Sequence, residues 1–299
     1  MTSTLADTEQ ASVRQYEIET WPPSQVLQAL FESQASGIAS LHHALPAIEA
    51  AALAAASRLA DSGRLIYVGA GTSGRIAVQD GAELPPTFGW PGNRLALLMA
   101  GGDVALVTAV EGAEDDAQAG RQATAALDVG AADVVVGVAA SGGTPYTCAC
   151  VAAARAASAL TIGVANVAGS ALLAAAEHAI LLPTGAEVIA GSTRLKAGTA
   201  QKAALNLFST LTMMRLGHTH DGLMVDMRPS NAKLRRRAVR MVQDITGCAP
   251  DQAEQALTRS GQQVKAAVLV VRGLEPDAAQ ALLAAHGGHL RAALADLPA

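Results

Sequence analysis

Short apolar runs separated by stretches of helical spacing dominate the middle of the chain. Patterns typical of helices lie between the runs, notably over Tyr146–Ala157 and Thr193–Leu216. Strands that alternate with helices predict right-handed crossovers and a doubly wound, mainly parallel five-stranded sheet, which is an α/β fold. Ligands of such sheets bind at the carboxyl ends of the strands. The runs that we predict as buried strands are Arg64–Val68, Leu95–Met99, Asp133–Val138, Leu160–Val164 and Ala179–Leu182.

The pattern differs at both ends of the chain. A long Ala/Leu helix is predicted over about Ala35–Ser62, bent or divided at Pro46. Gly217–Asn231 has the composition of a loop, Ala232–Ile245 that of a basic helix, and glycines after Thr246 separate two or three short helices. We therefore predict an irregular segment with a long helix over residues 1–56, an α/β domain over residues 57–220, and a linker with a small helical module over residues 221–299.

Composition narrows the class of protein. Hydrophobic residues make up 51% of the 299 residues but aromatic residues only 3%, so Ala, Leu and Val supply the core. The net charge of −5 offers no attraction to polyanions, and we expect no nucleic-acid partner. The three cysteines are an odd number, and Cys148 and Cys150 do not have the spacing of a zinc site. Reduced thiols favour a cytoplasmic protein.

Two segments bear on membranes and secretion. The N-terminus lacks the basic region and apolar stretch of a secretory signal. The apolar segment Cys148–Leu182 is interrupted by Arg155 and Glu177, so it predicts a helix, a strand, a second helix and a second strand rather than a bilayer span. We expect no membrane partner.

Three loops rich in glycine and hydroxyl groups precede predicted helices. Glycines expose backbone amides, hydroxyls add neutral donors, and the N-terminus of a helix favours an anion. Simple capping of the helices by Ser and Thr is the alternative for each loop, as for Thr144 before Pro145. Three such loops together predict a sugar-phosphate site, with the binding residues Thr72, Ser73, Gly74, Ser141, Gly142, Gly143, Thr144, Ser192, Thr193 and Lys196.

The first loop also has the Gly69-x-Gly71-x-x-Gly74 spacing of dinucleotide-binding proteins. A lone match of this kind is weak, and no acidic residue ends the next strand, which continues into Ala100–Asp103. We therefore expect no nicotinamide cofactor. The histidines show no metal-ligand spacing such as H-E-x-x-H, so we expect no metal either.

Two acidic stretches are candidates for proton transfer. Glu83 precedes Pro85 and Pro86, which predict a rigid turn, and its neighbours are mostly uncharged. Partial desolvation there would favour the protonated carboxyl group, which could then act as an acid. The second stretch, Val110–Asp116, contains several acids, for which a solvated face is the alternative. Composition alone does not distinguish which acid faces a ligand.

Taken together, these stretches resemble the N-acetylmuramic acid 6-phosphate etherases of the sugar isomerase (SIS) superfamily. The resemblance covers roughly residues 60–299 and implies an SIS fold. The stretches that carry it occur in the same order: Gly69–Arg75, Ala82–Phe88, Val110–Asp115, Ala139–Tyr146, Gly191–Lys202, and Leu223–Asp226 with Asn231–Leu234.

The resemblance implies a reaction and its catalytic groups. Such enzymes cleave the D-lactyl ether of N-acetylmuramate 6-phosphate by elimination and hydration, giving N-acetylglucosamine 6-phosphate and D-lactate without a cofactor or metal. Glu83 would be the acid at the lactyl oxygen and Glu114 the base at C2. The resemblance also implies a homodimer. Two functions of the same fold stay open, a non-catalytic sugar-phosphate-binding regulator and a sugar-phosphate isomerase, although both glutamates in intact motifs favour catalysis.

Overall fold

The computed structural model describes residues 17–297. The prediction that no secretory signal is present, and the first part of the predicted segment 1–56, lie outside the described residues. Contacts divide the chain into two compact units, Met1–Gly81 with Asn93–Ser209 and Ala82–Gly92 with Thr210–Ala299. The domain boundaries that we place after residues 56 and 220 stay predictions.

The first unit contains a five-stranded, wholly parallel sheet with the order β2-β1-β3-β4-β5. All five predicted strands are present, and each end lies within one residue of its predicted position. Strands β1, β3 and β4 are buried along their whole length, as expected for Val- and Leu-rich strands covered on both faces. The strands are β1 Leu65–Gly69, β2 Leu95–Met99, β3 Val134–Ala139, β4 Leu160–Ala165 and β5 His178–Leu181.

Helices connect the strands and cover the sheet. A core cluster of the first unit joins Val68 and Val135 of the sheet to Val151 and Leu172 of the helices. Two helices, α3 and α7, continue from the first unit into the second. The helices are α1 Pro23–Ala39, α2 Leu41–Leu59, α3 Gly71–Phe88, α4 Ala117–Ala126, α5 Pro145–Ala156, α6 Ala171–Ala175 and α7 Lys196–Arg215.

The N-terminal helix begins earlier and divides elsewhere than we predict. It starts at Pro23, and the break between α1 and α2 falls at Ser40, whereas Pro46 lies inside α2. Ser40 donates its hydroxyl to the carbonyl oxygen of Gly37, 2.7 Å away, a side-chain bond that competes with helix continuation. Pro46 lies beyond the first turn of α2, so its missing N–H costs the helix one backbone hydrogen bond without ending it.

The second unit is helical and contains its own core. The predicted loop over Gly217–Asn231 and the predicted basic helix are confirmed, the helix as α8 Ala232–Thr246. Four short helices follow it up to residue 297, rather than two or three: α9 Pro250–Arg259, α10 Val264–Val271, α11 Pro276–Ala285 and α12 Leu290–Ala295. Helix α10 is almost fully buried and forms the centre of this core.

Two apolar segments differ in burial. Cys148–Leu182 folds into α5, β4, α6 and β5 of the first unit, as predicted. By length and composition alone, the helical stretch Pro23–Leu59 is apolar enough to cross a membrane, and 33% of its most apolar window is buried. Within that stretch, Leu27 and Phe31 are exposed on one face of α1.

Candidate functional site

Two of the three predicted loops follow neighbouring strands at the carboxyl edge of the sheet. Gly69 at the end of β1 pairs with Val138, and Ala139 at the end of β3 pairs with Ala165. The loops after β1, β3 and β4 therefore leave the sheet side by side. This is the edge at which parallel sheets bind ligands, as the sequence predicts.

The first loop is short because α3 begins at Gly71, two residues after β1. Thr72, Ser73 and Gly74 form the first helical turn, with Thr72 half-exposed and Ser73 buried. Gly74 packs directly on Gly69, since a Cβ atom on Gly74 would lie 2.7 Å from the carbonyl carbon of Gly69. The glycine at position 74 thus permits close packing of helix on strand.

Gly74→Ala is expected to destabilise the first unit. The added methyl would lie 2.4 Å from Sδ of Met99 and 2.8 Å from the carbonyl oxygen of Gly69, and the backbone atom cannot move aside cheaply. Overpacking of this kind costs about 1–3 kcal/mol. Thermal denaturation measures the effect, with Gly130→Ala as the matched control because a Cβ there meets nothing within 4 Å. Equal melting temperatures for the two variants would contradict this packing role.

The second loop precedes α5. Gly142 has a φ of 64°, and a Cβ at this position would lie 2.1 Å from Oγ of Ser170. The hydroxyl of Ser141 accepts a hydrogen bond from the Gly143 amide at 3.2 Å. Thr144 occupies the N-cap position of α5 but its side chain makes no capping bond, so the capping alternative is wrong for this residue. Pro145 is the first helical residue, as predicted.

The third predicted loop, over residues 191–196, follows β5 and leads into α7, whose N-terminus is already occupied by a carboxyl group. Glu187, fully buried, accepts hydrogen bonds from the backbone amides of Lys196 (3.2 Å) and Ala197 (2.9 Å). Burial lowers the pKa of Lys196, and the charge of Glu187 partly offsets that shift. A substrate phosphate cannot use these two amides. Ser192 and Thr193, in the turn before α7, stay partly accessible.

The first and third loops are in contact. A Cβ on Gly198, in the first turn of α7, would lie 3.6 Å from Cγ2 of Thr72 and 3.2 Å from the carbonyl oxygen of Thr193. The structure therefore brings Thr72 close to the residues that precede α7.

A cavity of about 180 Å³ opens beside the start of α3. It is lined by Gly71 and Arg75 from one side and by Glu111 and Glu114 from the other. Glu114 is exposed and lies in a 3₁₀ turn over Ala113–Asp115. The loops over residues 141–144 and 191–196 do not contribute to this lining.

Glu83 lies on α3, which continues through Pro85 and Pro86 to Phe88. The predicted rigid turn at these prolines is therefore wrong. The side chain of Glu83 is exposed in the single chain, so the expected desolvation is absent there. Glu83 belongs to the second compact unit and Glu114 to the first.

The part of the chain that the structure describes shows no cluster of metal-ligating side chains. Among residues 17–297, no three His, Cys, Asp or Glu side chains are grouped so that they could hold a metal ion. The groups at the carboxyl edge are carboxylates, hydroxyls, amides and the basic side chains of Arg75 and Lys196. They are suited to binding an anion and transferring protons.

Comparison with known proteins identifies the family. The N-acetylmuramic acid 6-phosphate etherase of Deinococcus radiodurans is 47% identical over 290 residues, covering 97% of this chain and 95% of the relative. The chain belongs to the N-acetylmuramic acid 6-phosphate etherase family. The etherase of Streptomyces coelicolor is 50% identical over 280 residues, covering 93% of this chain and 90% of the relative.

Domain profiles match three parts of this chain. Residues 48–155 match the N-terminal SIS domain of glucokinase regulatory protein, residues 111–211 the SIS domain, and residues 221–285 the C-terminal lid domain of glucokinase regulatory protein. The structural match with a phosphoheptose isomerase from Francisella tularensis covers 65% of this chain and 98% of the isomerase chain, at 23% identity and a TM-score of 0.49.

Sequence reasoning missed three features of this etherase-family chain. The buried Oγ of Ser170, against Gly142, has no hydrogen-bond partner among residues 17–297. Glu187 caps α7 although it lies nine residues before Lys196, which is farther than the spacing of local capping patterns. Asp226, within the stretch Leu223–Asp226, pairs with Lys265 at 2.5 Å and contacts Nδ1 of His218 at 2.8 Å. This stretch therefore contributes an ion pair and a contact with a histidine inside the second unit.

Proposed function

We propose that this chain cleaves the D-lactyl ether of N-acetylmuramate 6-phosphate, as a carbon–oxygen lyase that releases D-lactate and N-acetylglucosamine 6-phosphate. The observation that carries the proposal is 47% identity to an etherase over 97% of the chain. An acidic cavity at the ligand-binding edge of the sheet supports it.

Glu114 is the proposed base. Opening of the sugar ring exposes an aldehyde at C1, which acidifies the hydrogen on C2. The carboxylate of Glu114 removes that hydrogen as a proton, and the C–H electron pair moves to form the double bond between C2 and C3. Its position on an exposed 3₁₀ turn at the cavity gives the carboxylate access to substrate.

Glu83 is the proposed acid. As the double bond forms, the C3–O bond breaks, and the ether oxygen takes the proton of Glu83 and departs in D-lactate. Water then adds its oxygen to C3 of the unsaturated aldehyde, and a proton returns to C2. The overall balance is one water consumed for each ether cleaved, with no oxidation or reduction.

The hydroxyl-rich loops are proposed to bind the phosphate. Thr72 and Thr193 are supported by their proximity around Gly198, and the half-buried Ser141 and Ser192 are accessible to a ligand. The N-termini of α3 and α5 can add backbone amides, whereas Glu187 occupies that of α7. Ser73, Gly74, Gly142, Gly143, Thr144 and Lys196 complete the proposed binding set.

D-lactate release tests the proposal directly. The purified full-length chain is incubated with N-acetylmuramate 6-phosphate, and both D-lactate and N-acetylglucosamine 6-phosphate are quantified. We expect equal amounts of the two products. Binding without product would support the regulator, and conversion of the sugar without lactate would support the isomerase.

We also propose that the chain is a cytoplasmic homodimer. The exposed Leu27 and Phe31 on α1 support a subunit contact, and the three free cysteines support a reducing compartment. Light scattering is expected to give twice the chain mass of 30.2 kDa. A monomer at micromolar concentration would contradict the dimer.

A further inference from the structure

Arg75 is held at the wall of the cavity that Glu114 lines. Its Nε atom donates to the backbone carbonyl oxygens of Ala105 and Leu106, at 3.0 Å each. These bonds use one edge of the guanidinium group and fix its position. Arg75 makes no ion pair with any carboxylate among residues 17–297.

Charge distinguishes Arg75 within the cavity. Among the described residues that line it, Glu111 and Glu114 are acidic and Arg75 is the one basic residue. A ligand that brings its own carboxylate to this cavity would be repelled by both glutamates. The guanidinium group provides the opposite charge and a planar fork of donors that matches a carboxylate.

The size of the cavity indicates which part of a ligand it can hold. Pockets that enclose a whole small molecule have volumes of about 300–1,000 Å³. A cavity of about 180 Å³ is smaller and suits one arm of a ligand. In the proposed substrate, the lactyl arm is bonded to C3, directly beside the C2 atom that Glu114 deprotonates. The carboxylate of Glu114 and the pocket that holds the lactyl arm must therefore lie next to each other.

We propose that Arg75 binds the carboxylate of the lactyl group and thereby sets the preference for lactyl-bearing sugar phosphates. This inference rests on the proposed function, because it takes its substrate from that reaction. Arg75 is a specificity-determining residue in this account and transfers no proton.

A comparison of two substrates isolates this contact. N-acetylmuramate 6-phosphate is compared with its analogue in which the lactyl carboxylate is replaced by a carboxamide, and kcat/KM for lactate or lactamide release is measured. The parent chain should prefer the carboxylate by roughly 10- to 100-fold, the range of a charged hydrogen-bonded contact. In Arg75→Gln that preference should disappear, with little change for the carboxamide. Arg75→Lys, which keeps the charge but loses the fork, should retain part of it.

A purely structural role of Arg75 predicts a different result from a role in binding the carboxylate. If Arg75 only anchors the turn at Ala105 and Leu106, Arg75→Gln lowers kcat/KM for both substrates equally, which would overturn the inference. Arg155→Gln is the matched control, because Arg155 also donates to backbone carbonyls, at Ala175 and Ala176, away from the cavity. It should keep the preference for the carboxylate.

A binding measurement separates this inference from the proposed reaction. Calorimetry in the Glu114→Gln background compares the affinities of N-acetylmuramate 6-phosphate and its carboxamide, with and without Arg75→Gln. If the carboxylate binds more tightly than the carboxamide and this difference depends on Arg75, the inference is supported even when the parent chain releases no lactate. Absence of lactate release would contradict only the proposed function. Affinities that do not depend on Arg75 overturn the inference.

Discussion

Glu114→Gln is expected to lower turnover of N-acetylmuramate 6-phosphate by roughly 10²–10⁴-fold, and Glu83→Gln by a similar factor. An amide has nearly the shape of a carboxyl group but can neither accept the C2 proton nor supply one to the lactyl oxygen. Affinity for N-acetylglucosamine 6-phosphate should stay within a few-fold of the parent value, because the phosphate contacts are unchanged. Initial rates of D-lactate release and calorimetry of the product measure the two effects.

Asp115→Asn is the matched control for Glu114→Gln. Asp115 lies in the same 3₁₀ turn and is exposed, but it does not line the cavity. Its variant should keep the parental rate within about threefold, since surface substitutions cost little. Parental rates in both glutamate variants would show that the catalytic assignment is wrong.

The two glutamate variants should also differ from each other. Without the acid, Glu83→Gln can still remove the C2 hydrogen reversibly, so it should exchange that hydrogen with D2O while releasing almost no lactate. Glu114→Gln should do neither. The reverse pattern would exchange the roles of the two residues and keep them both in the mechanism.

Asp80→Ala is expected to lower the stability of the first unit by about 3 kcal/mol. Asp80 is 2% exposed, and its carboxylate accepts hydrogen bonds from Oη of Tyr67 (2.8 Å), Nδ2 of Asn206 (2.6 Å) and Oγ of Ser209 (3.3 Å). Burial, together with the nearby Asp80, raises the pKa of Tyr67 well above its usual value, so its hydroxyl remains a donor. Removal of the carboxylate leaves the buried hydroxyls of Tyr67 and Ser209 without this acceptor, at about 1–3 kcal/mol each.

Thermal denaturation measures this effect as a fall in Tm of roughly 6–12 °C. A second substitution distinguishes the lost hydrogen bonds from general disruption. Tyr67→Phe in the Asp80→Ala background removes one orphaned donor, so the double variant should recover part of the lost stability. A melting temperature for Asp80→Ala within 1 °C of the parent would show that this network contributes little.

Much of the first unit follows from the sequence because burial on both faces leaves a strong local signal. The five apolar runs predict the strands to within one residue, since short Val- and Leu-rich runs suit parallel strands that helices cover on both faces. Pro145 likewise marks the first residue of α5. The carboxyl edge then follows from the alternation of strands and helices.

Features that depend on distant contacts are hidden from local patterns. A Pro-Pro pair normally argues against a helix interior, yet α3 continues through Pro85 and Pro86. Glu187 satisfies the amides at the start of α7 from a separate segment, so it lacks the short spacing of a capping box. The glycine at position 74 suggests a phosphate loop, but its local spacing does not reveal that it also packs against Met99 of β2.

The most direct test of elimination followed by hydration is NMR of the reaction in D2O. The parent chain is incubated with N-acetylmuramate 6-phosphate, and the hydrogen on C2 of the sugar product is followed together with free lactate. We predict that every N-acetylglucosamine 6-phosphate released with lactate carries deuterium at C2, because Glu114 exchanges the abstracted proton with solvent. Lactate release with the original hydrogen retained at C2 would contradict the mechanism.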